Sequence, residues 1–244
     1  MFKAKLFLKL CFGILENIRD DFLDLLLKRT QPFENDEKLA SAKLQKLGKG
    51  DGRWSLLTDH INNRSVVYSV GIGNDISFDL DLINRFGCEV HAFDPTSFSK
   101  QWLHKQKLPH KFFFHDHGLA NYTGSANFAL PQGHSVSFSM LEAIEGRHHH
   151  VAQVKKLSDI FSTLGHSKVD LLKIDIEGGE YEIIDDLVQS ADSIGQLLIE
   201  FHDRLIGKEL SKEALNKLQD AGYTIVAVSR RGLEYSFSGP SYPN

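Results

Sequence analysis

Val169-Asp170-Leu171-Leu172-Lys173-Ile174-Asp175-Ile176-Glu177-Gly178-Gly179-Glu180 runs from an apolar strand pattern straight into three carboxylates, with two glycines set among them. The apolar stretch is short and nearly unbroken, as expected of a strand covered on both faces of a parallel sheet. Ligands of open α/β sheets bind in the crevice outside the carboxyl ends of the strands, so Asp175 and Glu177 face whatever is bound. Alternation along the strand puts Lys173, Asp175 and Glu177 on one side.

A second strand, Ser65–Val70, lies about a hundred residues upstream and leads into Gly71-Ile72-Gly73-Asn74-Asp75. Ile76, Leu80, Ile83 and Phe86 then recur at helical spacing. Gly71 and Gly73 leave no Cβ between backbone and ligand, so a nucleoside or phosphate can come close at the helix start. The next strand, Cys88–Phe93, ends at Asp94, 21 residues after Gly73. A carboxylate at that spacing suits the two hydroxyls of a ribose. Glycine turn and Asp94 together point to an adenosine-containing cofactor, either a nicotinamide dinucleotide or S-adenosylmethionine. The dinucleotide fingerprint wants a third glycine where Ile76 stands, which counts against it.

Leu172–Glu180 closely resembles the Leu-Lys-Ile/Val-Asp-Val/Ile-Glu-Gly-x-Glu signature of the FkbM-type methyltransferases, a branch of the class I S-adenosylmethionine-dependent enzymes. Leu197–His202 is similar to that family's fifth strand, which ends in Glu-x-His, and Gly52-Arg53-Trp54 to the approach to its first. The resemblance runs from about residue 50 to 238 and extends to animal methyltransferase-like proteins of this branch. It implies S-adenosylmethionine as cofactor and a hydroxyl of a sugar or other small molecule as methyl acceptor. Two positions depart from the family: Ser69 stands where an acidic residue opens the glycine motif, and Asp75 stands at its third glycine. Ser69, Gly71, Gly73, Asp75 and Asp94 form the expected cofactor loop, and Asp116 and Gly118, after the strand Phe112–His115, are placed against the adenine.

At 244 residues, 41% hydrophobic and 25% charged, the chain suffices for one α/β domain plus an appendage. A net charge of −4 and a pI near 6.3 argue against a nucleic-acid partner. Cys11 and Cys88 alone provide no disulfide framework, and His148-His149-His150 reads as an exposed loop. In the N-terminal segment Phe7, Leu10, Ile14, Ile18, Phe22 and Leu25 recur at helical spacing. That amphipathic helix packs on the domain, on a second copy in a homodimer, or peripherally on a membrane surface. Lys9 interrupts the apolar run, so neither a secretory signal nor a membrane span fits, and a cytoplasmic location is expected.

Residues 1–50 are therefore expected to be a helical appendage, with a second helix capped by Asp36 and ending near Gly48, and residues 51–244 the catalytic domain. Strands near 65–70, 88–93, 111–115, 169–174, 196–201, 223–229 and 233–238 alternate with helices near 75–86, 97–106, 158–164, 179–189 and 208–220. This pattern predicts a class I methyltransferase (Rossmann-like) fold, a seven-stranded, mostly parallel sheet with an antiparallel edge hairpin. Between Asn121 and Val154 an inserted hairpin or substrate loop is expected.

Methyl transfer is an in-line displacement that needs an aligned nucleophile and a home for one proton. Glu200 and His202 share a face of their strand, next to the Asp175 strand in the expected order. His202 is the candidate base, oriented by Asp175 or Glu200, with Glu177 beside them. Asp175, Glu200 and His202 could instead hold a divalent cation. Glu180 and Glu182 read as first-turn acids favoured by the helix dipole. A methyltransferase fold that has lost cofactor affinity, leaving a binding module, is the non-catalytic alternative.

Overall fold

The computed structural model describes residues 44–129, 149–202 and 208–242; the expected N-terminal helices before residue 44 lie outside them. The strands are β1 (Leu44–Leu47), β2 (Trp54–Leu57), β3 (Val66–Val70), β4 (Glu89–Phe93), β5 (Phe112–His115), β6 (Gly118–Leu119), β7 (Gly124–Ala129), β8 (His149–Lys155), β9 (Val169–Ile174), β10 (Ile194–Glu200), β11 (Thr224–Val228) and β12 (Glu234–Ser238). The helices are α1 (Ser77–Phe86), α2 (Ser97–Leu103), α3 (Leu157–Leu164), α4 (Glu180–Gln189) and α5 (Lys208–Asp220).

Seven strands form the main sheet in the order β11-β12-β10-β9-β3-β4-β5. From β3 the chain builds outward through β4 and β5, then returns to the other side of β3 with β9 and β10. The order reverses between β3 and β9, which opens a crevice at their carboxyl ends. This is the class I methyltransferase arrangement. The closing hairpin lies at the sheet edge as expected, with antiparallel β12 between β10 and β11 and β11 outermost.

Burial on both faces explains the continuous apolar strands. On one face Tyr68, Leu172, Ile174, Leu197 and Ile199 pack with Ile160 of α3, Ile183 and Leu187 of α4, and Leu218 of α5. On the other, Val67, Val90, Leu171 and Leu198 pack with Phe78 and Leu82 of α1 and with Leu47, Trp54 and Leu56. The expected insertion is present as a second sheet, β6-β8-β7, whose antiparallel β7 and β8 flank residues 130–148, outside the described residues.

Leu44–Leu47 is a strand, not the end of a helix, and it pairs with β2 across the expected 50/51 boundary. The turn needs Gly48 at φ +89°, where a Cβ would overlap the carbonyl of Gly52. The hairpin is fastened to the sheet by side chains. Gln196, fully buried, accepts from Leu57 N–H at 2.8 Å and donates to Leu57 O at 2.9 Å, and Ser236 Oγ donates to Ser55 O at 2.7 Å. Gln196→Leu leaves both Leu57 groups unpaired in the core, so its expected effect is a loss of about 2–4 kcal/mol, measured by denaturant unfolding. Parental stability in that variant would show that the hairpin does not depend on the Gln196 bonds.

At the β4–β5 edge the aromatic face carries imidazoles. His91 Nδ1 lies 3.0 Å from His115 Nε2, the two rings stack, and His166 packs against His91 while bonding Tyr68 Oη at 2.8 Å. Burial, reinforced by neighbouring imidazoles, pushes both His91 and His115 down to about 4. A lowered folded pKa means the unfolded chain takes up protons first, so stability falls as pH drops from about 6.5 towards 4 and levels off below. For the 8%-exposed His91 the loss is on the order of 3 kcal/mol. Melting curves at pH 7 and 4.5 should show a smaller acid penalty in His91→Phe than in the parent; equal penalties would remove this cluster as the cause.

Candidate active site

The crevice is built where Gly71 meets Asp175. Asp175 N–H donates to Val70 O at 3.1 Å and Gly71 N–H to Phe93 O at 2.9 Å, so the first turn after β3 is locked to both neighbouring strands. Gly71 sits at φ +75°, and a Cβ there would overlap the carbonyl oxygen of Asp175. Gly73, at φ +51°, has open space where a Cβ would be. Its N–H donates to Asp94 Oδ2 at 2.9 Å, while Asp94 Oδ1 accepts from Thr96 N–H at 2.9 Å and Thr96 Oγ1 at 2.6 Å. Asp94 thus pins the glycine turn to the tip of β4 and is only 4% exposed.

After β9 the chain turns sharply. Glu177 adopts φ +53°, a left-handed conformation unusual for a residue with a side chain, and Gly178 follows at φ +101°. Glu180, the first residue of α4 and wholly buried, holds this turn by accepting from Ile176 N–H at 2.9 Å and Gly178 N–H at 2.8 Å. Its Oε1 also lies 3.0 Å from His202 Nδ1, a charge contact too poorly aligned to be a directional hydrogen bond. His202 Nε2 lies 3.3 Å from Glu177 Oε2 and 3.8 Å from Asp175 Oδ1. Burial works against a charged ring, but Glu177, Glu180 and Asp175 outweigh it and push His202 up to about 11. The ring is an imidazolium at neutral pH.

Glu200, at the end of β10, is pushed up to about 7 by burial and by the negative field of Asp175, against the pull of Arg231 and His202. Arg231, in the β11–β12 turn, reaches back to Glu200 Oε1 at 3.2 Å and also pairs with Glu234, which sits directly across from Glu200. Asp175 is likewise raised by burial, opposed by Lys173 and His202 and reinforced by Glu177 and Glu180. One ligand atom each from Asp175, Glu200 and His202 lies within 4.8 Å of the other two, close enough to share a cation.

The structure therefore brings together Asp175, Glu177, Glu200 and His202, as their strand positions imply, and sets Gly71, Gly73 and Asp94 beside them. Four expected cofactor residues have other surroundings. Ser69 is fully buried under the turn. Asp75 accepts from Ser77 N–H at 2.7 Å and so caps α1. Asp116 is 63% exposed and ion-paired with Lys100 at 2.6 Å, on the rim. Gly118 is packed between Pro95 and Val154, where close contact between segments is its evident use. Two residues at the site were read otherwise or passed over. Glu180 reads as a dipole acid yet shapes the Glu177 turn. Lys173, a charge set between Leu172 and Ile174 and 6% exposed, is the signal that marks it: its Nζ donates to Gly71 O at 2.8 Å.

A methyltransferase domain profile matches residues 34–227. Probable methyltransferase-like protein 24 of Homo sapiens is 30% identical over 164 residues, 66% of this chain and 39% of that protein, and its Rattus norvegicus counterpart is 29% identical over the same span. The chain thus spans about two fifths of the length of these curated relatives. Among solved structures it is similar to the Methanococcus jannaschii fibrillarin pre-rRNA processing protein (13% identity, TM-score 0.46, covering 86% of this chain and 88% of that one). It is also similar to the METTL16 MTase domain (14% identity, TM-score 0.44, covering 76% and 63%). With the profile covering most of the described sheet and a crevice formed at its order reversal, the chain belongs to the methyltransferase domain family.

Proposed function

We propose that this chain is an S-adenosylmethionine-dependent methyltransferase of the FkbM-type branch that methylates a hydroxyl on a sugar or other small molecule. The observation that carries the reading is the convergence of Asp175, Glu177, Glu200 and His202 beside a glycine turn with open space over Gly73. That open space fits a cofactor lying against the backbone, and the acidic crevice suits a cationic one. S-adenosylmethionine supplies an activated methyl group on a sulfonium that leaves as a neutral thioether. The residues of the chain do the rest. Asp175 orients the acceptor hydroxyl, His202 holds Asp175 and Glu177 in place as a fixed cation, and Glu200 takes the hydroxyl proton. A base ionising near 7 is well matched to neutral solution, whereas an imidazolium at about 11 has no vacancy for a proton. The base assigned to His202 from sequence is accordingly moved to Glu200.

Calorimetry with S-adenosylmethionine tests the reading: binding in the micromolar range supports it, and a folded sample without heat supports the silent binding module instead. A second reading has Asp175, Glu200 and His202 holding magnesium or manganese, favoured by the mutual reach of their ligand atoms. Chelation separates the two. If turnover on an identified acceptor survives EDTA, the protein groups act unaided; if it vanishes and returns with magnesium or manganese, a cation is required.

A further inference from the structure

The chain is acidic overall, yet one edge of the sheet is built from a segment without a single acid. From Pro95 to His115, through α2 and the edge strand β5, the sequence holds four lysines and three histidines but no aspartate or glutamate. Lys100 is held on the rim by Asp116. Lys105 and Lys107, just after α2, are exposed and make no ion pair among the described residues. Lys111 Nζ donates to the carbonyls of Asn63 and Gly87, which leaves its charge uncancelled.

The Lys111 bond joins this edge to an open groove of about 620 Å³ at the amino ends of β3 and β9, lined by Asn62, Asn63, Arg64, Ser65, Lys168 and Asp170. Arg64 and Lys168 are exposed there. Two acids stand at the same end: Asp170, which accepts from Val66 N–H at 2.8 Å through one oxygen, and Glu89, opposite Val66 in the register. On the sheet face of the same edge, Phe113 of β5 is 39% exposed. Its ring stacks on His91 with centroids 5.0 Å apart, and His91 stacks in turn on His115. An open ring backed by such a stack is a platform for another flat ring.

A net charge of −4 is a sum over the whole chain, whereas exposed charges act within a Debye length of about 8 Å in physiological salt. A partner at this edge therefore meets the lysines and Arg64, not the sum. Cations beside a stacking platform match the phosphates and bases of a single strand, and a concave groove suits a strand better than a flat bilayer. The second oxygen of Asp170 would repel a phosphate but can accept from a hydroxyl, and the ribose 2′-hydroxyl is what RNA has and DNA lacks.

We propose that the β5 edge, from Lys105 and Lys107 to the groove at Arg64 and Lys168, is a docking surface for single-stranded RNA, with phosphates on the cations and a base on Phe113. It lies along the sheet edge and at the amino ends of the strands, whereas the cofactor crevice is at their carboxyl ends. The proposal does not depend on the S-adenosylmethionine reading.

Fluorescence anisotropy of a labelled oligouridine with the full chain tests it. At roughly 50 mM salt the parent should bind in the micromolar range, and log affinity should fall against log salt with a slope of about −3 for four or five phosphate contacts. Lys105→Gln/Lys107→Gln and Arg64→Gln/Lys168→Gln should each bind about tenfold or more weakly and each flatten that slope by about 1. Phe113→Ala should bind about fivefold or more weakly with the slope unchanged, since stacking releases no counterions. These positions are exposed, and parental melting temperatures check that each variant is folded. Oligodeoxyuridine should bind more weakly than oligouridine. A folded parent that does not bind oligouridine overturns the proposal, as does parental affinity in both charge variants or in Phe113→Ala. Equal affinity for oligodeoxyuridine overturns the assignment to RNA. Binding to phosphatidylserine vesicles that the charge variants abolish, with no binding of oligouridine, would give the edge to a membrane instead.

Discussion

Gly71→Ala should lower the melting temperature by roughly 10 °C or more, or leave no folded protein to measure. Two costs add at this position. The left-handed backbone, φ +75°, costs an L-residue about 1–2 kcal/mol. The new methyl would also overlap the carbonyl of Asp175, which is backbone and cannot rotate away, because Asp175 N–H is bonded to Val70 O. Relief would require β3 and β9 to part at the centre of the sheet. Gly73→Ala gives the contrast. At φ +51° with nothing within 4 Å of its Cβ, it should cost only about 1 kcal/mol of stability yet weaken cofactor binding by about tenfold, because the methyl enters the space assigned to the ligand. Melting and calorimetry on the pair decide it. A stable Gly71→Ala protein would mean that the turn is not wedged against Asp175, and unchanged affinity in Gly73→Ala would move the cofactor away from this loop.

The largest effect on chemistry is expected of Asp175→Asn. The change is nearly isosteric and leaves the backbone bond to Val70 untouched, so the fold and most cofactor affinity should remain. Turnover should fall by about 100- to 10,000-fold, the range for loss of a positioned acid–base or orienting group. The reason is electrostatic: Asp175 is the carboxylate within reach of both Lys173 and His202, and an amide cannot balance either cation or accept from the acceptor hydroxyl as strongly. Its absence also relieves the field that raises Glu200, so the remaining carboxylate becomes a weaker base. Rates on an identified acceptor, compared with S-adenosylmethionine binding for the same preparation, check both halves. Parental turnover would leave the Asp175 segment with a structural role only.

Much of this was legible in the chain because each element carries its own pattern. Apolar runs gave β3, β4, β9 and β10 their places, and residues that end such strands, Asp94, Asp175, Glu200 and His202, had nowhere to go but the crevice side. Contacts made at long range were not legible. Nothing in Leu44–Leu47 announces a strand until Trp54–Leu57 is there to pair with it. Arg231 reaches Glu200 only because β12 inserts next to β10, which periodicity alone does not dictate. Glu180 was misweighed for a different reason: a first-turn acid is favoured by the helix dipole in any helix, so its spacing did not reveal that it folds back onto Ile176 and Gly178.

The side-chain staples that fasten the β1–β2 hairpin have a consequence for biosynthesis. Leu57 waits for Gln196, 139 residues later, and Ser55 for Ser236, 181 residues later. On a ribosome adding about 5–20 residues per second, that is on the order of ten seconds or more during which the hairpin lacks both of these side-chain bonds. Vectorial folding cannot complete this layer from the front. The hairpin's side-chain fastenings come only with strands made long after it, and until then apolar contacts with the earlier elements are what hold it.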